Sequence, residues 1–473
     1  MLSKFYDNFK CYVKVGNDIS DGFLALQGIH QGAPCSMFMF EMFTNELLSQ
    51  LCDCIYALDM YGVPICSPAY ADDLTVISLS CEGLQATLSV AYKYSTKWRF
   101  KFNPAKCSVM VFGDKKENIK FRLGKCVIKE SKCEVLLGTL LTLDKAEERE
   151  WDDDKIGRCK NMLYAAQSIG NHIVPVTPVT TSKLYWGAII PKLCYGIEIA
   201  DVNEVTHIEL EKFHCDAAKH CQGLPQNTAN FGAIATMGWK SLKAHFDILR
   251  LLFMWQLLLL PMTCIYKKII MHRILYIFLS HGKIFTGPTS LFIDICKKYN
   301  LYYVLKKSVV NGDFMSIDEW KKIVKLVVIK KDQQRISIQC SLYKVLDYLN
   351  RPTCKMSVWW QHAFKTPAFS RINRSVIRLL LNVERHGFRY CEKCNFVSIN
   401  TIEHMFFDCT ATKEVRELNW YKVIEMCPKQ LVREMEAKSK RELCMFILNG
   451  LNSDYVDEWK DIYSAISLFV YYL

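Results

Sequence analysis

The chain has 473 residues, of which 51% are hydrophobic and 23% are charged, a balance that excludes an intrinsically disordered protein. The length predicts about two to four domains. Lys and Arg number 60 against 48 acidic residues, giving a net charge of +12. This excess favours a polyanionic partner such as nucleic acid, but it does not identify the partner by itself.

The 22 cysteines are spread along the whole chain. A secreted disulfide scaffold would be shorter and would begin with a secretory signal. The first ten residues, Met1 to Lys10, contain no apolar signal segment. We therefore expect an intracellular location, nucleus or cytoplasm, where most cysteines are small buried hydrophobic residues.

The predicted elements begin with short strands and turns. Residues 11–15 alternate, and turn signals follow at 16–17 and 21–22. Pro34 and Ser36 then indicate the start of a helix. Its apolar residues at helical spacing are Phe40, Phe43, Leu47 and Leu51.

Two apolar runs, 63–66 and 74–77, flank the segment 70–73, which reads Tyr-Ala-Asp-Asp. This order predicts a β-hairpin with Asp72 and Asp73 at its tip. Carboxylate oxygens suit Mg²⁺, and two such ions stabilise the attacking and leaving oxygens in nucleotidyl transfer. An Asp-Asp pair alone favours an ordinary exposed turn, so the neighbouring motifs decide between these interpretations.

Further elements complete an α+β pattern. A helix is predicted over about 84–98, and strands at 108–112 and 135–138. The charged stretch 145–155 indicates either a linker or an exposed helix start, and helix dominates from there to about residue 380. Breaks in this helical part are predicted near 175–178, 223–225 and 287–288.

The apolar run Leu251–Met262 is too short for a membrane span, which needs about 20 apolar residues. We interpret it as a buried core helix and expect no membrane association. The pattern predicts four regions: an α+β region, a first helical region, a second helical region of unknown role, and a Cys-His region with a helical tail. Their boundaries are 1–144, 145–245, 246–380 and 381–473.

The C-terminal part contains a Cys-x2-Cys-x9-His-x4-Cys pattern. Three thiolates and one imidazole suit a tetrahedral Zn²⁺ site, although buried free thiols remain an alternative. The four candidate ligands are Cys391, Cys394, His404 and Cys409. A basic-aromatic stretch lies beside them and indicates either contact with single-stranded nucleic acid or a solvated helix face. It comprises Arg371, Arg374, Arg378, Arg385, Phe388, Arg389, Tyr390 and Lys393.

Four segments in chain order resemble the boxes of reverse transcriptases. Residues 28–40 resemble the Gly-x-x-Gln-Gly-x-Pro-x-Ser-Pro-x-x-Phe box, with Met37 in place of the second proline. Residues 70–74 resemble the active-site box, and 102–107 resemble the Asn-x-x-Lys box. Residues 136–138 resemble the Leu-Gly box that holds the primer end.

The best resemblance is to enzymes of retrotransposons that lack long terminal repeats, of the jockey-like kind. Residues 185–198, with Pro191 and Tyr195-Gly196, also resemble the thumb of that group. Residues 403–409 resemble the end of its cysteine-histidine knuckle.

The resemblance implies roles for the catalytic residues. Asp72 would bind a metal ion, and Asp73 would have an accessory metal role. Lys106 would face the nucleotide phosphates and protonate the departing pyrophosphate, although an ordinary solvated lysine is an equal alternative. The implied metal ion is Mg²⁺ or Mn²⁺.

The resemblance also implies residues that bind the template, the nucleotide and the primer. Gln31 and Gly32 would lie near the templating base and the incoming nucleotide, where a small residue permits close approach. The other residues implied in nucleotide, template or primer contact are Tyr70, Asn103, Leu137 and Gly138.

The first metal-binding box of this family, apolar-Asp-x-x-x-Ala-Phe-Asp, normally precedes the Gln-Gly pair. The aspartates before Gln31 are Asp7, Asp18 and Asp21, and none has this context. We therefore expect a truncated RNA-directed DNA polymerase, a nucleotidyltransferase that is inactive alone. The alternative is a non-enzymatic RNA- or DNA-binding protein that retains the polymerase scaffold.

The complete expectation is an α+β protein with a partial polymerase palm, built from a hairpin and helices. By the resemblance, residues 1–144 would be this palm, a mainly helical thumb would follow over 145–245, and the C-terminal region would contain a small zinc-knuckle-like site. The implied partners are an RNA template, a DNA primer or target, and deoxynucleotides.

Overall fold

The computed structural model divides the chain into two compact units, Met1–Glu134 and Val135–Leu473. The described residues are 9–25, 28–29, 32–53, 58–60, 62–113, 120–142, 145–170, 176–200, 202–280, 283–349, 355–383, 391, 394, 401–451 and 459–473.

The first unit contains short strands that pair two by two. They are β1 (Lys10–Cys11), β2 (Lys14–Val15), β3 (Asp18–Ile19), β4 (Phe23–Leu24), β5 (Leu58–Met60), β6 (Val63–Ile65), β7 (Ala69–Tyr70), β8 (Asp73–Leu74), β9 (Ser108–Val109), β10 (Arg122–Leu123), β11 (Cys126–Val127) and β12 (Lys129–Glu130). The pairs β1–β4, β2–β3, β5–β6, β7–β8 and β10–β11 are antiparallel, and β9–β12 is parallel. The mixture of such pairs with helices agrees with the predicted α+β class.

Two amphipathic helices form the core of this unit, as predicted. Helix α1 (Ser36–Cys52) buries Leu47 and Leu51. Helix α2 (Cys81–Lys97) begins after Ser80, whose side chain accepts a hydrogen bond from the Gly83 N–H and so caps the helix. A Tyr94 hydroxyl on α2 donates to the Phe43 carbonyl at 2.7 Å and ties the two helices together.

One predicted pairing differs in the structure. The apolar run at 63–65 pairs with the preceding strand Leu58–Met60 and forms its own hairpin. Asp59 Oδ1 accepts from the Gly62 N–H at 2.9 Å and stabilises that turn. Most of this run therefore belongs to the hairpin with Leu58–Met60. Only its last residue, Cys66, forms a backbone hydrogen bond with the 74–77 segment.

A hairpin of β13 (Cys133–Leu136) and β14 (Thr139–Thr142) begins two residues before the second unit, which is otherwise mainly helical. The helices are α3 (Lys145–Gly170), α4 (Pro178–Leu184), α5 (Ile190–Leu193), α6 (Glu204–Gln222), α7 (Asn230–Met237), α8 (Leu242–Leu259), α9 (Ile265–Leu279), α10 (Pro288–Lys298), α11 (Tyr302–Asn311), α12 (Ile317–Ser341), α13 (Val358–Lys365), α14 (Ser370–Leu380), α15 (Thr401–Glu403), α16 (Lys413–Met426), α17 (Lys429–Glu436), α18 (Lys440–Leu448) and α19 (Lys460–Tyr472).

Local sequence explains several helix boundaries. The charged stretch 145–155 is the first part of α3 and not a linker. Helix α6 ends at Gly223, which has φ +62° and closes the helix in the left-handed conformation that glycine adopts freely. A π-helical turn covers Tyr185–Ile189. Because Pro191 lacks an N–H, it cannot continue the regular hydrogen-bond ladder just after this turn.

The apolar run Leu251–Met262 lies mostly within α8, as predicted for a core helix. Leu251, Trp255 and Leu258 are fully buried. Trp255 stacks on Trp320 of α12 with ring centroids 3.9 Å apart. In the part of the chain that the structure describes, no helix is both long and apolar enough to cross a membrane.

Candidate functional site

The Tyr-Ala-Asp-Asp segment forms the predicted hairpin. Tyr70 of β7 pairs with Asp73 of β8, and Ala71 and Asp72 make the two-residue turn. Ala71 has φ +52°, a conformation that suits the first position of a tight hairpin turn. Both carboxylates and the Tyr70 ring are exposed. The tip therefore presents two adjacent carboxylates to solvent.

Backbone hydrogen bonds extend this hairpin beyond its two shortest strands. The Thr75 N–H donates to the Pro68 carbonyl at 2.9 Å, and the Ile77 N–H donates to the Cys66 carbonyl at 2.7 Å. Cys66 is buried, and Leu74 packs against the same core as α1 and α2. The exposed tip is thus carried by a stem that is anchored in the hydrophobic core.

The palm carboxylates do not form a complete metal site within the described residues. No group of three or more potential metal ligands there includes Asp72 or Asp73. Asp18 and Asp21 lie on an exposed part of the β1–β4 region, and Asp7 lies outside the described residues. A two-metal reaction needs ligands for both ions, so these residues alone do not fit that cofactor set.

The Gln-Gly pair is described only in part. Gln31 lies outside the described residues. Gly32 is exposed with φ +86°, and a Cβ at this position would meet no atom within 4 Å. The backbone at Gly32 is therefore open to close approach by a ligand.

The Asn-x-x-Lys box folds into a 3₁₀ turn over Pro104–Lys106. Asn103 precedes the turn, and its Oδ1 accepts from the Ala105 N–H at 3.1 Å. The Lys106 N–H donates to the Asn103 carbonyl at 3.0 Å. Asn103 therefore fixes the local backbone, and the Lys106 side chain extends into solvent.

The Leu-Gly box is the turn between β13 and β14. Leu137 has φ +49° and Gly138 has φ +76°, the pair of left-handed conformations required by a type I′ turn. The Tyr195 hydroxyl donates to the Leu137 carbonyl at 2.8 Å. A Cβ on Gly138 would lie 3.3 Å from the Tyr195 ring, so glycine permits this close packing.

Lys155 of α3 forms a hydrogen bond with Tyr195, the residue that packs on this turn. Its Nζ donates to the Tyr195 carbonyl at 2.9 Å, and burial lowers the pKa of its ammonium group. A cavity of about 90 Å³ lies between Gly138, Lys155 and Tyr195. The resemblance had singled out Tyr195 as part of a thumb motif. Lys155 carried no recognisable signal, because it lies in an evenly charged stretch.

The four predicted zinc ligands lie together in the second unit. The Sγ atoms of Cys391 and Cys409 are 3.8 Å apart, and Cys394 Sγ is 3.2 Å from His404 Nε2. All four ligand atoms lie within 4.8 Å of one another. With Zn–S bonds of about 2.3 Å, a tetrahedral ion places two sulfurs about 3.8 Å apart. The arrangement therefore fits one tetrahedral metal ion.

Neighbouring side chains hold this cluster in place. Arg416 Nη1 donates to the Cys409 carbonyl at 2.8 Å, and Lys440 Nζ lies 2.6 Å from Asp408 Oδ1. Burial raises the pKa of the Cys409 thiol, but hydrogen bonds, including one from the Ala411 N–H, outweigh it and the net pKa is lowered. A lowered thiol pKa favours the thiolate, which is the form that binds metal.

The basic-aromatic stretch is described over its first part only. Arg371, Arg374 and Arg378 lie on α14 (Ser370–Leu380), where Arg371 is exposed and the other two are half-buried. The predicted residues outside the described part are Arg385, Phe388, Arg389, Tyr390 and Lys393.

Comparison with known protein families gives a match in the first part of the chain. Residues 2–137 match the family model described as "Reverse transcriptase (RNA-dependent DNA polymerase)". This span contains Gln31, Asp72, Lys106 and Leu137, and it supports a reverse-transcriptase-like protein. A reverse transcriptase domain implies nucleic acid and nucleotide partners. No curated protein matches the chain.

Proposed function

We propose that this chain is a reverse transcriptase protein of a jockey-like retrotransposon without long terminal repeats. The observation that carries the proposal is the hairpin of β7 and β8, which presents Asp72 and Asp73 at its tip inside the matched span 2–137. In this proposal Asp72 corresponds to a metal ligand of RNA-directed DNA polymerases and Asp73 to an accessory one, in a truncated polymerase. The partners are an RNA template, a DNA primer or target, and deoxynucleotides.

Other palm residues have binding roles in the same proposal. The open backbone at Gly32 lies against the templating base or nucleotide, together with Gln31 and Tyr70. Asn103 shapes the turn that directs Lys106 towards the phosphates. The type I′ turn of Leu137 and Gly138, fixed by Tyr195, contacts the primer end.

We further propose that residues 1–473 do not extend a primer by themselves. The described residues add no third carboxylate to Asp72 and Asp73, and the sequence contains no Asp-x-x-x-Ala-Phe-Asp box. Loss of one electrostatically stabilising group at the reacting atoms commonly costs about two to three orders of magnitude in rate. The same observation favours a second candidate, a non-enzymatic RNA- or DNA-binding protein on this scaffold.

For the second unit we propose a Zn²⁺ ion held by Cys391, Cys394, His404 and Cys409. Four protein ligands would leave no open coordination position, so the ion would have a structural role. It would join the segment after α14 to the segment that precedes α16.

A primer-extension assay on the purified chain tests the polymerase proposal. The template is RNA, the primer is DNA, and Mg²⁺ or Mn²⁺ is supplied. We expect binding of the primer–template but no extension. Robust product that disappears in Asp72→Asn, and persists in the matched exposed variant Asp53→Asn, would show an active polymerase. Absence of any nucleic-acid binding would contradict both candidate functions.

A further inference from the structure

The guanidinium of Arg374 lies directly over the C-terminal end of α6 (Glu204–Gln222). A Cβ built on Gly223 would lie 2.8 Å from Arg374 Cζ and 2.9 Å from its Nε. The absence of a side chain at position 223 leaves room for the guanidinium in this position. The contact joins residues that are 151 positions apart in the sequence, so the packing of α14 beside the end of α6 brings the cation there.

Arg374 has no hydrogen bond or ion pair within the described residues, and its Nε is closed off from solvent. Burial, together with the positive charges of Arg378 and Arg371, lowers the pKa of its guanidinium. An arginine nevertheless stays charged at neutral pH. A half-buried cation without a counter-charge is costly, which indicates that a ligand completes the site.

Capping of α6 does not account for this guanidinium. The Gly223 N–H donates to the His220 carbonyl at 3.1 Å, and the Leu224 N–H donates to the Lys219 carbonyl at 3.0 Å. These bonds already satisfy carbonyls at the helix end. The two terminal nitrogens of Arg374 carry four N–H donors in a planar fork, a geometry that suits bidentate binding of a phosphate.

An exposed aromatic ring lies beside the same helix end. Tyr164 of α3 is 54% exposed, and its ring contacts His220 edge-on at a centroid distance of 4.8 Å. The His220 carbonyl accepts from the Gly223 N–H at 3.1 Å, so the residues that Tyr164 and Arg374 contact are neighbours at the end of α6. Burial lowers the pKa of His220, so this imidazole is neutral at pH 7. The positive charge at this helix end therefore comes from the arginines of α14.

We propose that Arg374, with Arg371 and Arg378, binds a backbone phosphate of a single-stranded nucleic acid whose neighbouring base stacks on Tyr164. A free phosphate would need only the arginines, whereas a strand uses the phosphate fork and the aromatic ring together. This inference rests on the proposed function for its nucleic-acid ligand, but it places the ligand on residues of the second unit that the proposed function does not use.

Fluorescence anisotropy with a labelled RNA single strand of about 15 nucleotides tests the site. We expect Arg374→Gln to weaken binding roughly tenfold, because it removes a charge-assisted hydrogen-bond donor. The slope of log affinity against log salt should fall by about 0.7, as expected for one lost phosphate contact on a single strand. The matched control is Arg433→Gln, which removes the same charge from an exposed arginine on α17.

Two further variants keep the test decisive. Arg371→Gln removes an exposed member of the cluster and should weaken binding with no loss of the circular-dichroism spectrum, even where Arg374→Gln perturbs folding. Tyr164→Ala should weaken RNA binding about fivefold or more, since stacking is lost, and it should leave competition by inorganic phosphate unchanged.

The outcomes separate the two proposals. Equal RNA affinity of Arg374→Gln and Arg433→Gln, with normal wild-type binding, would overturn the site but not the proposed function. No RNA binding by the wild-type chain would overturn the proposed function itself. A phosphate-sensitive affinity that ignores Tyr164→Ala would show a free-phosphate site and overturn the strand-binding inference.

Discussion

The His214 imidazole in the second unit is completely buried. Its Nε2 faces the Lys240 carbonyl at 2.9 Å and its Nδ1 faces the Tyr185 hydroxyl at 2.8 Å. A carbonyl only accepts, so Nε2 carries the proton and Nδ1 accepts from Tyr185. Burial lowers the pKa of His214 to about 3. The imidazole is therefore a neutral hydrogen-bonding link in the core.

This lowered pKa predicts a loss of stability in acid. Between the unfolded pKa of about 6.5 and the folded pKa of about 3, the unfolded state binds a proton that the folded state does not. The free energy of unfolding should therefore fall by about 2 kcal/mol from this group between pH 7.5 and pH 5. Urea denaturation at both pH values measures the change.

A matched pair of variants isolates His214. His214→Gln should reduce the pH dependence, although part should persist because burial and Lys240 also lower the pKa of His245, to about 4. The control is His272→Gln, at an exposed position, which should leave the dependence unchanged. Equal pH dependence in wild type and His214→Gln would contradict the prediction.

Gln222 shows why the partners of a buried polar side chain are hard to predict from sequence. Its Nε2 donates to the Ala218 and Ala233 carbonyls, and its Oε1 accepts from the Thr236 hydroxyl and from Trp360 Nε1. All four hydrogen-bonding positions of the amide are used, which is the condition for burying it without a large cost. Trp360 lies 138 residues away, and no local pattern predicts such a partner.

At the scale of elements, short sequence motifs predicted those features that depend on a few neighbouring residues, such as a hairpin turn or a pair of metal ligands. A hairpin with Asp72 and Asp73 at its tip was predicted from the β-prone runs 63–66 and 74–77; the structure has such a hairpin, but its strands are Ala69–Tyr70 and Asp73–Leu74, and 63–65 pairs with 58–60. The Cys-x2-Cys and His-x4-Cys pairs were predicted to meet, and their ligand atoms do so. The Tyr195 hydrogen bond to Leu137 spans 58 residues, and it depends on a packing that spacing alone cannot predict.

The Cys-His cluster yields the prediction at this scale. The natively purified chain should contain about one zinc ion, since four converging ligands form a closed site. Removal of the ion by a strong chelator should lower the melting temperature, because binding energy at a structural site is also folding energy. Elemental analysis and thermal unfolding measure the two effects.

Serine variants supply the control for the metal site. Cys394→Ser should abolish zinc binding and mimic the chelator. Cys126→Ser changes an exposed cysteine of β11 outside the cluster and should retain both the metal and the melting temperature. A native protein without zinc, or a chelator without effect on unfolding, would favour buried free thiols at these four positions.

The whole molecule contains hydrophobic cores of very different size. In the described part of the first unit, one cluster consists of Leu47, Leu51, Cys66, Ala91 and Tyr94, and the other is comparably small. The second unit contains two much larger clusters, one of them around the stacked Trp255 and Trp320. Sequence composition predicted a folded chain, but it could not predict this uneven distribution, because burial depends on which helices pack together.

This distribution predicts uneven protection of backbone amides against hydrogen exchange. Local opening is easiest where few apolar residues are buried, so amides in α1 and α2 should exchange faster than those in α8 and α12. Hydrogen-exchange mass spectrometry of the intact chain measures this directly, and Trp320→Ala is the matched test. That variant should accelerate exchange in α8, whose Leu251 carbonyl accepts from Trp320 Nε1, and should leave α1 unchanged. Equal protection of α1 and α8 would show that core size does not set local stability here.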